Sequence, residues 1–336
     1  MLSCFKNFGI QFHSSTDPYD CTFSLIGLDS SIANAFRRIL IAEVPTLAIE
    51  DVYVTDNTSL IQDEVLASRL GLIPLKGSKE GFQWMKWLRK ASVDDPDKAS
   101  ILTDYNTVIL NLDVDCTWRK GGQEAFKRGE NDPDKLYRNH NVYAKDMVYQ
   151  PTGRQTQFFS GEGTIRPANP DILIAKLRPG QGIHCIMHCC KGIGGDHAKF
   201  SPVATASYRL LPSIQIVKPI LGADAKKFAR CFPKGVIKLE PVTKQESKKQ
   251  GSGYEGHEGE LKAVVHDPMK DTVSRECLRH EEFKDKVKLG RIRDHFIFRI
   301  ESTGQFESED LFLDSVKLLK AKCVKMKRAM GEMMLA

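Results

Sequence analysis

Along the chain, the spacing of hydrophobic residues changes period several times. Residues 22–26 (TFSLI) form a short apolar run that reads as a strand, and DSSIANAFRRILIAEVP then takes up a helical spacing. Ile32, Phe36, Ile39 and Leu40 fall on one face of that helix, Asp29 to Ser31 supply N-cap side chains, and Pro45 stops it. A strand is predicted around 48–55, then a compact helix in DEVLASRLGLIPL, where Leu66 and Leu70 stand i, i+4. There Gly71 is placed to take the left-handed position after the helix, and Pro74 prevents continuation. Thr107 to Asp113 alternates as a half-buried strand, and further strands are expected near 172–178, 183–190 and 207–217. In DHFIFRIEST, Phe296, Phe298 and Ile300 alternate onto one face. The chain closes on ESEDLFLDSVKLLKAKCVKMKRAMGEMMLA, in which Phe312, Val316, Leu319, Cys323, Met326, Met330 and Met333 keep a strict four-three spacing. Glu309 and Asp310 lie near its start and Lys317 to Arg328 in its later turns, which complements a helix dipole.

Between these elements lie polar stretches. Residues 76–105 are polar and contain proline, apart from the QWMKWL turn; 119–141 read as a long charged surface loop; and 242–259 (VTKQESKKQGSGYEGHEG) read as a mobile loop. No internal repeat is present.

Composition narrows the class. With 336 residues, 41% of them hydrophobic, the chain has enough material for a sizeable core and for two domains. Lys+Arg 49 against Asp+Glu 43 gives +6, a mild excess that does not by itself argue for nucleic-acid binding. The nine cysteines (4, 21, 116, 185, 189, 190, 231, 277, 323) are scattered and odd in number, and MLSCFKNFGIQFHSS lacks a signal-peptide apolar run, which points to a reducing intracellular compartment. No apolar stretch approaches the roughly 18 residues of a membrane span.

The densest chemistry lies in HCIMHCCKGIGGDHAKF, residues 184–200. A metal site would need ligands converging on one ion, but the alternation puts Ile183, Cys185, Met187 and Cys189 on one strand face. On a strand, His184 and His188 stand about 13 Å apart, too far to share an ion. A half-buried strand carrying small soft side chains accounts for the same residues. The glycines are no phosphate loop, because Lys199 is followed by Phe200 rather than by a hydroxyl. Spacing leaves a Cys190–His197 nucleophile pair open, but a glycine-rich turn with one acid, one His and two Lys suits docking better than catalysis. DVD at 113–115 is not the D-x-D-x-D constellation of a carboxylate-held Mg²⁺. GFQWMKWLRK (81–90) offers a weak basic-aromatic surface of the kind that binds single-stranded nucleic acid.

Four stretches in order, ANAFRRILIAEVPTLAI (33–49), DEVLASRLGLIPL (63–75), KGIGGDHAKFSPVATASYR (191–209) and FIFRIESTG (296–304), resemble the signature blocks of the α-like assembly subunits of DNA-directed RNA polymerases. More narrowly, DTVSRECLRHEEFKDKVKLGRIRDHFIF (271–298) is similar to the branch shared by eukaryotic polymerases I and III. The polymerase II branch carries a zinc-binding cysteine cluster after the segment matching GLIPL, whereas residues 76–100 here contain no Cys.

The resemblance implies an α+β fold: a discontinuous α-like dimerisation domain (1–55 and 208–336, with 242–259 as a mobile loop) and an inserted second α+β domain (56–207). It implies a non-catalytic scaffold, without cofactor or metal, for rRNA precursor, 5S rRNA and tRNA synthesis. Ile32, Phe36, Arg37, Ile39 and Leu40, with Phe312, Val316, Leu319, Cys323 and Met326, would meet a smaller α-like subunit in a heterodimer. At least one of Arg37 and Arg38 would be held by carboxylates near that interface or touch a large subunit. Lys191, Gly192, Gly194, Asp196, His197 and Lys199 would form a loop docking the second-largest subunit and a small assembly subunit, with the largest subunit joining the same complex. DNA would be met only through the whole complex, in the nucleus including the nucleolus, with no membrane. The other readings are the equivalent subunit of another polymerase and an independent nucleic-acid-binding protein.

Overall fold

The computed structural model describes residues 8–88, 101–249 and 251–335. In chain order its main elements are β1 (Gly9–Asp17), β2 (Asp20–Ile26), α1 (Ser30–Ala42), β3 (Thr46–Asn57), α2 (Asp63–Gly71), α3 (Lys79–Trp84), β4 (Thr107–Asp115), β5 (Met147–Gln150), β6 (Gly182–Gly192), β7 (Val203–Ile216), α4 (Gly222–Arg230), β8 (Ile237–Pro241), β9 (Leu261–Val265), β10 (Val287–Ser302) and α5 (Ser308–Leu335). Helix and sheet are mixed, an α+β fold. Its two larger sheets have strand orders β1-β2-β10-β7 and β3-β6-β4-β5.

The chain divides into two compact units: Met1–His13 with Thr22–Ala33 and Tyr208–Phe298, and Ser14–Cys21 with Asn34–Ser207 and Arg299–Ala336. In the first unit, Phe23 stacks on Phe298 at 5.6 Å, and Tyr208 packs on both Phe296 and Phe298. The alternation of 296, 298 and 300 is thus a core face, but Ile297 between them is buried as well. Helix α4 lays Phe228 against Phe283 in a second cluster with Val236 and Cys277. Between β8 and β9, the described residues of 242–259 make defined local bonds. A helical turn at Lys244–Ser247 is held by a reciprocal cap between Thr243 and Glu246, and the Lys262 ammonium bonds the Glu246 carboxylate.

In the second unit β6 is the spine. It pairs antiparallel with β3 on one side and β4 on the other. Ile183, Cys185, Met187 and Cys189 all point into the core and are buried with Leu66, Leu70 and Leu110, as the alternation predicts. Two details depart from the sequence reading. Gly71 is still helical and Leu72 ends α2 in the right-handed region, so no left-handed glycine is used there. The stretch 119–141 is no loop: it holds the short helices Gly122–Lys127 and Pro133–Leu136 and a strand pairing, anchored by buried Leu136 and Tyr137. Their polar neighbours mask those two anchors. No helix among the described residues is long and apolar enough to cross a membrane.

Candidate subunit interface

Helices α1 and α5 meet in the second unit. The Phe36 ring lies edge-on to Phe312 at 5.4 Å, and further along both helices Lys322 Nζ donates to the two Glu43 carboxylate oxygens at 2.6 and 2.7 Å. On its other flank α5 is held by Lys79, whose Nζ lies 3.0 Å from Asp310 and 3.6 Å from Asp314. The α1 stripe is therefore largely occupied within the chain: Phe36 is 9% exposed, Ile39 and Leu40 are buried, and Ile32 is half-buried. Beyond its first turn, what α1 leaves open is Arg38 and Ile41. Among the described residues no carboxylate pairs with Arg37; its Nε and Nη2 donate to the Asn34 side-chain oxygen at 3.0 and 2.8 Å.

Helix α5 is different. Leu311 and Ser315 are buried and Phe312, Leu318 and Leu319 partly covered, but every residue from Lys320 to Met333 is exposed. The four-three stripe therefore starts against the body and runs on uncovered. Val316 is 39% exposed, Met326 66% and Met333 80%, with Cys323 and Met330 between them. Twenty-eight residues make a rod about 42 Å long. A row of aliphatic and thioether side chains on its free part is surface whose burial is favourable by about 25 cal/mol per Å².

The loop after β6 folds back on its own chain. Gly195 N–H donates to Ala42 O at 2.8 Å, satisfying one of the carbonyls that α1 leaves unpaired at its end. A Cβ on Gly194 would stand 2.1 Å from Ile41 O, and one on Gly192 2.6 Å from the Phe200 ring, so both glycines are needed for close packing. Lys199 turns inward, donating to Ile49 O at 2.9 Å and pairing with Glu50 at 2.5 Å. Lys191 donates to Phe82 O at 2.9 Å and Met85 O at 3.3 Å. Only Asp196 and His197, of the six loop residues, project freely; the His197 ring accepts the Lys199 N–H at 3.1 Å.

The neighbouring His/Cys strand carries no assembled reaction centre. Burial pushes the Cys185 thiol up to about 11 and Cys189 well above its ordinary value, which leaves both protonated and inert. Cys190 is buried while His197 is exposed. Burial disfavours a charged His184, but its hydrogen bonds to Asp115 (3.2 Å) and Asp113 (3.4 Å) outweigh this and raise its pKa. His188 instead meets the Tyr53 ring at 4.8 Å. In the basic-aromatic turn the rings are already engaged: Trp84 stacks on Phe158 at 4.5 Å, and Lys191 lies over Trp87 at 5.4 Å. Arg89 and Lys90 of that turn lie outside the described residues.

A paired α1–α5 core with a helix extending from it is an arrangement built for association. Consistent with this, residues 22–323 match the RNA polymerase Rpb3/Rpb11 dimerisation domain. This chain belongs to the Rpb3/Rpb11 dimerisation-domain family. The Rpb3/Rpb11 match takes in all of α1 and α5 as far as Cys323. The chain is 50% identical over 317 residues (94% of this chain, 86% of the relative) to the Saccharomyces cerevisiae protein named DNA-directed RNA polymerases I and III subunit RPAC1. To the human protein of the same name it is 44% identical over 318 residues (95% and 83%). To Dictyostelium discoideum DNA-directed RNA polymerase II subunit rpb3 the identity is 30% over 320 residues (93% and 92%). Sequence reasoning missed the Glu43–Lys322 and Lys79–Asp310 ties that seat α5 in this Rpb3/Rpb11-type chain; charged residues far apart in sequence carry no signal of their pairing.

Proposed function

We propose that this chain is the α-like, non-catalytic assembly subunit shared by RNA polymerases I and III, forming a heterodimer with a smaller α-like subunit and docking the two large catalytic subunits and a small assembly subunit. The observation that carries the reading is the uncovered apolar stripe of α5 in a chain that matches the polymerase I and III relatives at 44–50% identity and the Dictyostelium polymerase II relative at 30%. In this reading the partner covers Val316, Leu319, Cys323 and Met326 along α5 and reaches α1 over Ile32, Arg37 and the rim of the buried Phe36, Ile39 and Leu40. Each apolar side chain fully buried by the partner adds about 1.5–3 kcal/mol, so four or five suffice for a stable pair once the entropy of association is met. The loop 191–199, rigid because α1 and Glu50 hold it, presents Asp196 and His197 to a large subunit.

Within this reading the dimerisation domain comprises 1–55 and 208–336 and the inserted domain 56–207. The protein works in the nucleus, in the nucleolus where polymerase I acts, and meets DNA only as part of the complex. Purifying the tagged chain from nuclear extract and identifying the co-purifying largest subunits tests this. Polymerase I and III subunits in comparable amounts support it; polymerase II subunits, or none, contradict it.

A further inference from the structure

A cleft of about 230 Å³ opens in the second unit beside α5, on the flank away from the exposed stripe. Its floor is apolar, made by Val44, Phe82, Phe306 and Leu318. That volume lies below the roughly 300–1,000 Å³ of small-molecule sites, so it suits one large apolar side chain rather than a metabolite.

The rim is cationic and incompletely neutralised. Asp314 pairs with Lys317 at 2.9 Å and joins Asp310 in holding Lys79, at 3.6 and 3.0 Å, so two carboxylates match those two lysines and the excess charge rests on Lys191. Lys191, half-buried at the edge of the cleft, is bonded only to the carbonyls of Phe82 and Met85 and lies over the Trp87 ring; among the described residues no carboxylate comes within ion-pairing distance of it. A half-buried ammonium that lacks a counter-charge is costly and attracts an anion. Its pKa is lowered by desolvation, in keeping with that cost.

We infer that this cleft receives an apolar side chain flanked by Asp or Glu, carried on an extended segment of another polymerase subunit, with the flanking carboxylate pairing with Lys191. The charge of the rim selects the occupant: a basic segment would be repelled by the unmatched Lys191, whereas an acidic one supplies the counter-charge it lacks. The inference rests on the assembly reading above and adds to it a second contact on the opposite flank of α5.

The test is photo-crosslinking in the intact polymerase. Gln83, exposed at the cleft edge, is replaced by p-benzoylphenylalanine, the polymerase is purified through this chain, irradiated, and the crosslinked peptides are sequenced by mass spectrometry. Crosslinks to a single segment of another subunit, with an Asp or Glu within two residues of the captured apolar residue, support the inference. Losing a charge-assisted contact lowers the yield about tenfold in Lys191→Met, and more mildly in Lys317→Glu, whose side chain is exposed and whose loss spares the core. Lys127→Glu, exposed on the helix Gly122–Lys127 and not lining the cleft, leaves the yield unchanged. Crosslinks only within this chain, to nucleic acid, or to a segment without a carboxylate overturn it, as does a yield indifferent to both cleft variants. A chain that never co-purifies with polymerase removes the assembly reading and this inference together, whereas the other contrary results remove this inference alone.

Discussion

At the residue scale, two positions set the local rules. Gly194 lies where any Cβ would collide with a backbone carbonyl, 2.1 Å from Ile41 O, and backbone at a helix end cannot yield as a flexible side chain does. Gly194→Ala should cost about 1–3 kcal/mol and lower the melting temperature, while Gly195→Ala, whose Cβ would sit 3.2 Å from Ala42 O, should cost less. Equal melting temperatures for the two variants would contradict the packing described. Glu246 is the second. The Lys262 ammonium, then the Thr243 N–H and hydroxyl, hold its carboxylate down to about 2 from the usual 4.5. A carboxylate whose folded value is depressed stabilises above its unfolded value and loses that contribution as pH falls through the folded one. The stability difference between the native chain and Glu246→Gln should hold steady above pH 4.5, shrink as pH falls, and vanish near pH 2. A difference that stays constant in urea titrations from pH 7 to 2 would rule this out. Little of this was legible in the sequence: the glycines read as allowing close backbone approach but not to which backbone, and Lys191 and Lys199 read as docking charges, because nothing in their spacing shows which carbonyl or carboxylate they reach.

At the element scale, the stripe on α5 was legible to the residue, since a four-three repeat fixes which side chains share a face. Its partner was not, because periodicity gives phase and not neighbour. The same holds for α1, where the helix was placed correctly but Phe36 proved to be packed under Phe312. The two stripes therefore respond differently to a charge. Phe36→Asp buries a carboxylate in the chain's own core and should lower the stability of the isolated protein by about 3–5 kcal/mol. Met326→Asp, on an exposed turn, should change it by no more than about 0.5 kcal/mol. Thermal unfolding of the two isolated variants decides; comparable losses would mean that Met326 is covered by its own chain. Cys323, exposed within the stripe while the other cysteines of the described residues are buried, provides a footprint. It should react with a maleimide readily in the free chain and become protected when the smaller α-like subunit is added. Equal labelling with and without that subunit would place the stripe outside the interface. The short helices and strand at 119–141, anchored by only a few buried residues, escaped the sequence reading for a related reason: Leu136 and Tyr137 are too few among charged neighbours to set up a period.

At the scale of the whole molecule, the α+β class and the order of the signature blocks were readable because they extend over most of the chain. Residues 208–298 hold nineteen Lys and Arg against thirteen Asp and Glu, which accounts for the chain's entire excess of +6. Acids remain interleaved with those bases, and the isolated chain should hold DNA only weakly; a steep salt-dependent affinity would instead favour an independent nucleic-acid-binding protein. The central claim is that the chain works by pairing through the free stripe of α5. Its most direct test is co-expression with the smaller α-like subunit of polymerases I and III, followed by size-exclusion chromatography and titration of the dissociation constant. The native chain should elute as a one-to-one complex, and Met326→Asp, folded and equally stable, should bind about a hundredfold more weakly, a loss of about 2.8 kcal/mol from placing a lone carboxylate in an apolar contact. A folded Met326→Asp chain that pairs as tightly as the native one would contradict it.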